Sequence, residues 1–345
     1  MMESTFKLLR VRGIQIGVHW SWLFVFAIVV WSLARALFPA TYPNLEGSTY
    51  VAMAVAAAVI FFASVLLHEL GHALRAVREG VAIEGITLWL LGGVARLRGN
   101  PPSPLAEFRV AICGPLVTFL LTVAFGAAAL LGDRFDWPAA VQGVTDYLAR
   151  INGLVLAFNL VPALPLDGGR VLRSWLWHRQ QSFTAATRSS ARVGQAFGLM
   201  LIAIGLVGLF GSGGPGGIWF VFLGWFLLQA AQAELTMAQV RHALAGRKVR
   251  DVMSRDPVVV APDLPVADLL DRVGRERSFS TYPVVGDGRL LGLVSLRTAA
   301  AVAPGDRGAR TVAEVMTPVN DVATATADED VVDVLPKLGG ERARA

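Results

Sequence analysis

The chain has 345 residues, 54% of them hydrophobic and 17% charged, with a mean hydropathy of +0.54. These values exclude a wholly soluble domain and fit several membrane spans with a soluble appendage. The single cysteine, Cys113, excludes an internal disulfide and a cysteine-built metal site. The net charge of +5 comes mostly from arginines flanking apolar runs, which reads as membrane topology and not as nucleic-acid binding.

Apolar runs predict six transmembrane helices. The first, Val18–Phe38, follows Lys7, Arg10 and Arg12. No cleavage site succeeds it, so it reads as a retained anchor rather than a signal peptide. His19 and Trp20 at its start read as interfacial anchors. The second span, Tyr50–Val77, is free of charge up to Val65 and then carries His68-Glu69-Leu70-Gly71-His72. Residues four apart share a helix face, so His68 and His72 can hold one metal ion. Glu69 beside them suits the general base that activates water. The alternative is a pair of buried histidines without a metal, but ionisable groups at membrane depth are costly and usually functional. Hydrolysis needs water, so the placement points to cutting inside a membrane or at its edge.

Val81–Leu97 is apolar but broken by Gly92-Gly93, and reads as a strand pair or re-entrant element. Ile86–Ala95 is its candidate exposed edge. The third span is Phe108–Leu131 and the fourth Ala139–Val161. Asn152 and Asn159, seven apart on the fourth, share a face; they suit hydrogen bonds to an extended substrate, or glue between helices. Pro162 and Pro165 then break the helix, which membranes tolerate only in buried or wet surroundings. Asp167, on that broken segment, is the candidate third ligand; the alternative is an interfacial turn at Asp167-Gly168-Gly169. Two histidines, a carboxylate and an open fourth position make a catalytic zinc site. The last spans are Val193–Phe210 and Ile218–Ala233. His178 and His242 lie in basic stretches and read as solvated surface.

Loop arginines alternate in density along the chain, with Arg134 the one exception, and place both termini in the cytoplasm. His68, His72 and the segment after Val161 then lie at similar depth, able to share one site.

At His68-Glu69-Leu70-Gly71-His72 and Asn159 through Asp167-Gly168, supported by Gly92-Gly93 and Gly114-Pro115, residues of about 5 to 235 resemble the site-2 protease family of intramembrane zinc metalloproteases. The resemblance implies one zinc ion bound by His68, His72 and Asp167, with Glu69 as catalytic base. Asn152, Asn159, Gly92 and Gly93 are candidate substrate contacts. It implies a transmembrane protein as substrate, such as a membrane-anchored transcription regulator or anti-sigma factor, cut in the lipid bilayer of a bacterial cell membrane. The chain departs from the family in having Cys113 where alanine often precedes Gly-Pro, and Thr118 where an asparagine often follows.

After Ala245 charge rises and apolar runs shorten. Val249-Arg-Asp-Val-Met253 recurs loosely as Val312-Ala-Glu-Val-Met316. The order between them reads strand, helix, strand, strand, helix, with strands Ser280–Val285 and Leu290–Ser295 joined at Gly286-Asp287-Gly288. This resembles a pair of cystathionine β-synthase (CBS) repeats, which implies an adenine nucleotide site or a dimerisation module. Thr298 stands where the family often has a ribose-holding aspartate, and the second repeat has no room before Ala345 for its strand pair. That repeat is expected to be poorly ordered and nucleotide binding impaired. The expected fold is therefore an α-helical polytopic membrane domain, 1–240, with a small β element, followed by a cytosolic α+β CBS region, 246–345, that can pair two chains. The rival readings are a CBS-regulated transporter or channel, and a metal-binding scaffold that does not cut. The first leaves the HExxH motif unexplained; intact Glu69 argues against the second.

Overall fold

A computed structural model describes residues 5–89, 92–98, 101–211, 216–273 and 279–338. Residues 2–240 and 241–345 form two compact units.

The first unit opens with a hairpin that the sequence analysis did not anticipate. Strands β1 (Phe6–Val11) and β2 (Ile14–Val18) pair antiparallel. Arg12 and Gly13 turn between them at φ 48° and 87°, the backbone of a two-residue hairpin loop. Val18, assigned above to the first span, is the last residue of β2. The hairpin joins β3 (Ala82–Trp89) and β4 (Gly92–Arg98) in one sheet of order β1-β2-β3-β4. β2 and β3 run parallel and β3 and β4 antiparallel. The strand pair predicted over Val81–Leu97 is thus present. Its β3 half is interior, however, so only β4 remains as an edge in that region.

Helix α1 (Ser21–Thr41) contains a π turn at Leu33–Leu37, and α2 (Gly47–Arg78) carries the histidine motif. Ala54, Ala57, Ala58, Ala73 and Ala76 of α2 are buried, small side chains that let neighbouring helices approach closely. Ile14, Ile16 and Ile86 of the sheet pack on Ala73, with Leu66, Leu70 and Leu74 beside them. The sheet therefore rests on the two turns of α2 that bear His68 and His72.

Helix α3 (Pro104–Arg134) starts at Ser103, whose Oγ accepts from the Ala106 amide at 3.2 Å, a side-chain cap on the first turn. It packs against both α2 and α4 (Ala139–Asn159). The helix breaks at the two prolines as expected: α4 ends at Asn159 and α5 (Asp167–Gln180) begins at Asp167. Ala163 and Leu164 of the link are buried. Helices α6 (Phe183–Gly211) and α7 (Gly216–Leu244) complete the unit.

The expected six spans become five among the described residues: α1, α2, α3, α6 and α7 are long and apolar enough to cross a membrane. Helix α4 exists, yet Gln142, Asp146, Arg150 and Asn152 lower its apolarity. Protein groups take up part of this polarity, while Gln142 Oε1 is buried without a partner among the described residues. Gln142 donates to the Ala129 carbonyl at 2.9 Å, and Asp146 accepts from the Tyr42 hydroxyl. Burial and Asp146 push the Tyr42 phenol up to about 12, so it stays protonated.

In the second unit, α8 (Val249–Val252) is followed by a helical segment from Val266 to Val273. Strands β5 (Thr281–Gly286) and β6 (Arg289–Ser295), helix α9 (Leu296–Ala300), α10 (Val312–Val315), β7 (Thr317–Pro318) and α11 (Val331–Leu338) complete it. Where the repeat pattern expects its first strand, Val260 makes an isolated bridge to Val284. Backbone hydrogen bonds record the repeat. Val249 N donates to Glu329 O at 3.0 Å, and its counterpart Val312 N donates to Leu264 O at 2.9 Å. Val331 N to Arg247 O and Val266 N to Arg310 O form a second exchanged pair, each at 3.0 Å. The start of the second repeat is thus folded onto the first, with Val312 buried in the shared core; residues 339–345 lie outside those described.

Candidate active site

His68 and His72 project from adjacent turns of α2 toward the first residue of α5. His68 Nε2 lies 3.1 Å from Asp167 Oδ2, His72 Nε2 lies 3.2 Å from Asp167 Oδ1, and the two Nε2 atoms are 3.1 Å apart. The two motifs, far apart in sequence, therefore meet at atomic scale. His68 is buried, and side-chain exposure at Asp167 is 13%.

What surrounds the histidines decides what those three atoms can do. His72 Nδ1 lies 2.7 Å from the Val110 carbonyl. A carbonyl only accepts, so Nδ1 carries a proton, and in the neutral ring that leaves a lone pair at Nε2. His68 Nδ1 lies 2.8 Å from Thr118 Oγ1, whose hydroxyl donates to Gly114 O at 3.4 Å. Thr118 therefore accepts from His68 and leaves its Nε2 as a lone pair too. In that neutral tautomer two imidazole lone pairs and a carboxylate face one another, an arrangement a cation resolves. Four tetrahedral ligands at zinc distances lie about 3.3 Å apart, so the spacing fits that ion. His68, His72 and Asp167 form the metal-competent cluster found among the described residues.

Glu69 lies beside this cluster, and Gly93 of β4 sits against it. A Cβ at Gly93 would collide with Glu69 Cγ, reach Cδ at 2.9 Å and Oε1 at 3.2 Å. Gly114 of α3 is equally close to His72, whose ring a Cβ there would overlap. The two glycines singled out in the sequence thus have a concrete steric role. They admit a strand end and a helix backbone to van der Waals contact with Glu69 and His72.

Other candidates lie farther out. The Asn152 amide donates to Leu148 O at 2.8 Å within α4 and is buried. Asn159 is half-buried at the end of α4. No described hydrogen bond links either to His68, His72 or Asp167. His19 lies just before α1, its Nδ1 2.8 Å from Ser21 Oγ. Thr118, noted in the sequence only as a departure, proves to be the orienting partner of His68. Its role depends on a contact across fifty residues, which no local signal reveals. Replacing Thr118 with valine keeps the shape and removes the acceptor. Zinc affinity is expected to fall about 10- to 100-fold, measured by chelator competition on the purified chain.

Lone-pair ligands and an adjacent carboxylate, set among helices long enough to cross a bilayer, amount to the chemistry of a membrane metallopeptidase. Comparison with known proteins agrees. The profile of peptidase family M50 matches residues 56–134 and 136–201, and that of the CBS domain matches 249–303. A Mycobacterium tuberculosis protein named as zinc metalloprotease Rip3 is 38% identical over 347 residues, covering 100% of this chain and 88% of that one. A Synechocystis protein named as a zinc metalloprotease is 31% identical, covering 99% and 89%. A solved site-2 protease from Methanocaldococcus jannaschii is 26% identical and covers 67% of this chain and 94% of that chain, with a TM-score of 0.44. The chain belongs to peptidase family M50. It is a metallo-endopeptidase, a hydrolase of peptide bonds, in a multi-pass membrane protein.

Proposed function

We propose that His68, His72 and Asp167 hold one zinc ion and that Glu69 is the catalytic base for cleavage within a transmembrane segment of another protein. The observation that carries this reading is the meeting of three ligand atoms within 4.8 Å, next to a carboxylate that is not one of them. When bound, zinc supplies Lewis acidity, making water a nucleophile at neutral pH and polarising the scissile carbonyl.

Glu69 accepts the proton of the attacking water on its carboxylate and later delivers it to the leaving amine. Val110 and Thr118 hold the two imidazoles in the tautomer that leaves Nε2 free. A helical substrate hides its carbonyls in its own hydrogen bonds, so it unwinds before attack. Strand β4 is an edge of the sheet among the described residues, and its second residue abuts Glu69. An unwound segment added to β4 by β-augmentation brings its backbone to the base, with Gly92 and Gly93 as contacts. Asn152 and Asn159 are secondary candidates for holding that segment.

In this reading both termini are cytoplasmic, the setting is a bacterial cell membrane, and the substrate is a membrane-anchored regulator of transcription or an anti-sigma factor. The C-terminal unit is regulatory. Ser295 Oγ and Thr298 Oγ1 bond each other at 2.7 Å, so no carboxylate stands where an adenine nucleotide's ribose is held. Pairing of two copies through the CBS region is the favoured role.

The test is reconstitution of the full chain in liposomes with a labelled single-span substrate. Cleavage mapped inside the span, abolished by a chelator and restored by stoichiometric zinc, is expected. A cut confined to water-exposed loops would contradict the intramembrane site.

A further inference from the structure

Below the metal cluster lies a buried set of ions that the proposed chemistry does not use. Arg173 of α5 is 5% exposed and Glu107 of α3 is 2% exposed. The guanidinium grips one carboxylate oxygen twice, with Nε 2.6 Å and a terminal nitrogen 2.5 Å from Glu107 Oε1. Its other terminal nitrogen donates to Glu234 Oε2 of α7 at 3.1 Å, and its plane lies over the Phe183 ring, 4.9 Å from the centroid. Arg170 reaches the other oxygen of Glu234 at 3.7 Å.

The location of these groups matters more than their number. Asp167 is the first residue of α5, and Arg173 lies less than two turns further along the same rigid helix. Glu107 stands three residues before Val110 on α3, hence on the same face. Val110 is the residue whose carbonyl orients His72. One turn of α3 therefore holds both sides of the cluster: His72 through Val110, and the helix of Asp167 through Glu107 and Arg173. The link before α5 is non-helical from Leu160 to Leu166, so α5 needs an anchor of its own. Stability alone explains the ions poorly, since apolar residues of equal volume usually serve as well or better. Two N–H groups on Glu107 Oε1 and a third on Glu234 constrain the direction of the guanidinium as well as its distance.

We infer that Arg173 and Glu107 are positioning residues that set Asp167 in register with His68 and His72. This rests on the reading of Asp167 as a metal ligand. The pair touches neither substrate nor metal; it acts through α5.

The experiment measures zinc transfer from the purified full chain to a chelator, together with thermal stability, for Arg173→Lys, Glu107→Gln, their combination, and Asp167→Ala. Lysine keeps the charge but not the fork. Both single variants are expected to stay folded and release zinc about 10- to 100-fold faster than wild type. The combination should be no faster than the worse single variant, because both remove one shared contact. Should the single variants fail to fold, Arg173→Met with Glu107→Leu decides the matter: it is expected to fold and still release zinc fast. Release at the wild-type rate from these variants, with fast release from Asp167→Ala, would overturn the positioning role and leave the metal centre standing. Wild-type release from Asp167→Ala as well would overturn the centre itself.

Discussion

Replacing Glu69 with glutamine is expected to lower cleavage of a single-span substrate by about 10²- to 10⁴-fold, the usual contribution of a positioned general base, while zinc content stays at the wild-type level. The two effects separate because Glu69 is not one of the three converging ligand atoms. Glutamine has nearly the same shape, so the contact with Gly93 survives, and what is lost is the capacity to take a proton from water. Product formation in liposomes, normalised to bound zinc, is the measurement. Activity within tenfold of wild type would show that another group serves as base.

The second large effect runs the other way. Gly114→Ala introduces a single methyl, and it lands on the His72 ring. A side-chain ring can swing aside, so the fold absorbs the change for about 1–3 kcal/mol, the ordinary cost of overpacking. The proposed metal site has no such latitude. A ring that swings away from Gly114 leaves the Val110 carbonyl and carries Nε2 out of the cluster. The expected result is a folded protein with zinc affinity reduced at least about 10- to 100-fold and cleavage lost with it. A variant that binds zinc and cuts normally would show that α3 does not press on His72.

How much of this was legible in the sequence depends on range. The histidine pair is legible because its spacing is that of one helix turn and its chemistry is rare in an apolar run. The break before Asp167 is legible because two prolines forbid a continuous helix. Joining the two needed only the loop charges, which place both at one depth. The CBS repeat shows itself as a recurrence of local pattern, and the exchanged hydrogen bonds of Val249 and Val312 are its structural counterpart.

The N-terminal hairpin was hidden by its neighbour. Ile14 to Val18 alternates like a strand, but it runs straight into the apolar span, and hydropathy alone merges the two. Helix α4 differs in the opposite direction. Its length suits a span, while two of its polar residues, Gln142 and Asp146, meet Ala129 and Tyr42, partners known only once helices are packed. Thr118, Glu107 and Arg173 carry no local signal at all. Each acquires its role from a contact with a residue tens of positions away.

The central claim is that His68, His72 and Asp167 are the ligands of a catalytic zinc ion and Glu69 is not. Metal analysis of the purified full chain tests it most directly, comparing wild type, Glu69→Gln and Asp167→Ala at equal folded concentration. One zinc per chain in wild type and Glu69→Gln, and a clear loss in Asp167→Ala, is the predicted result. Full zinc in folded Asp167→Ala, or none in a folded wild type, would contradict it.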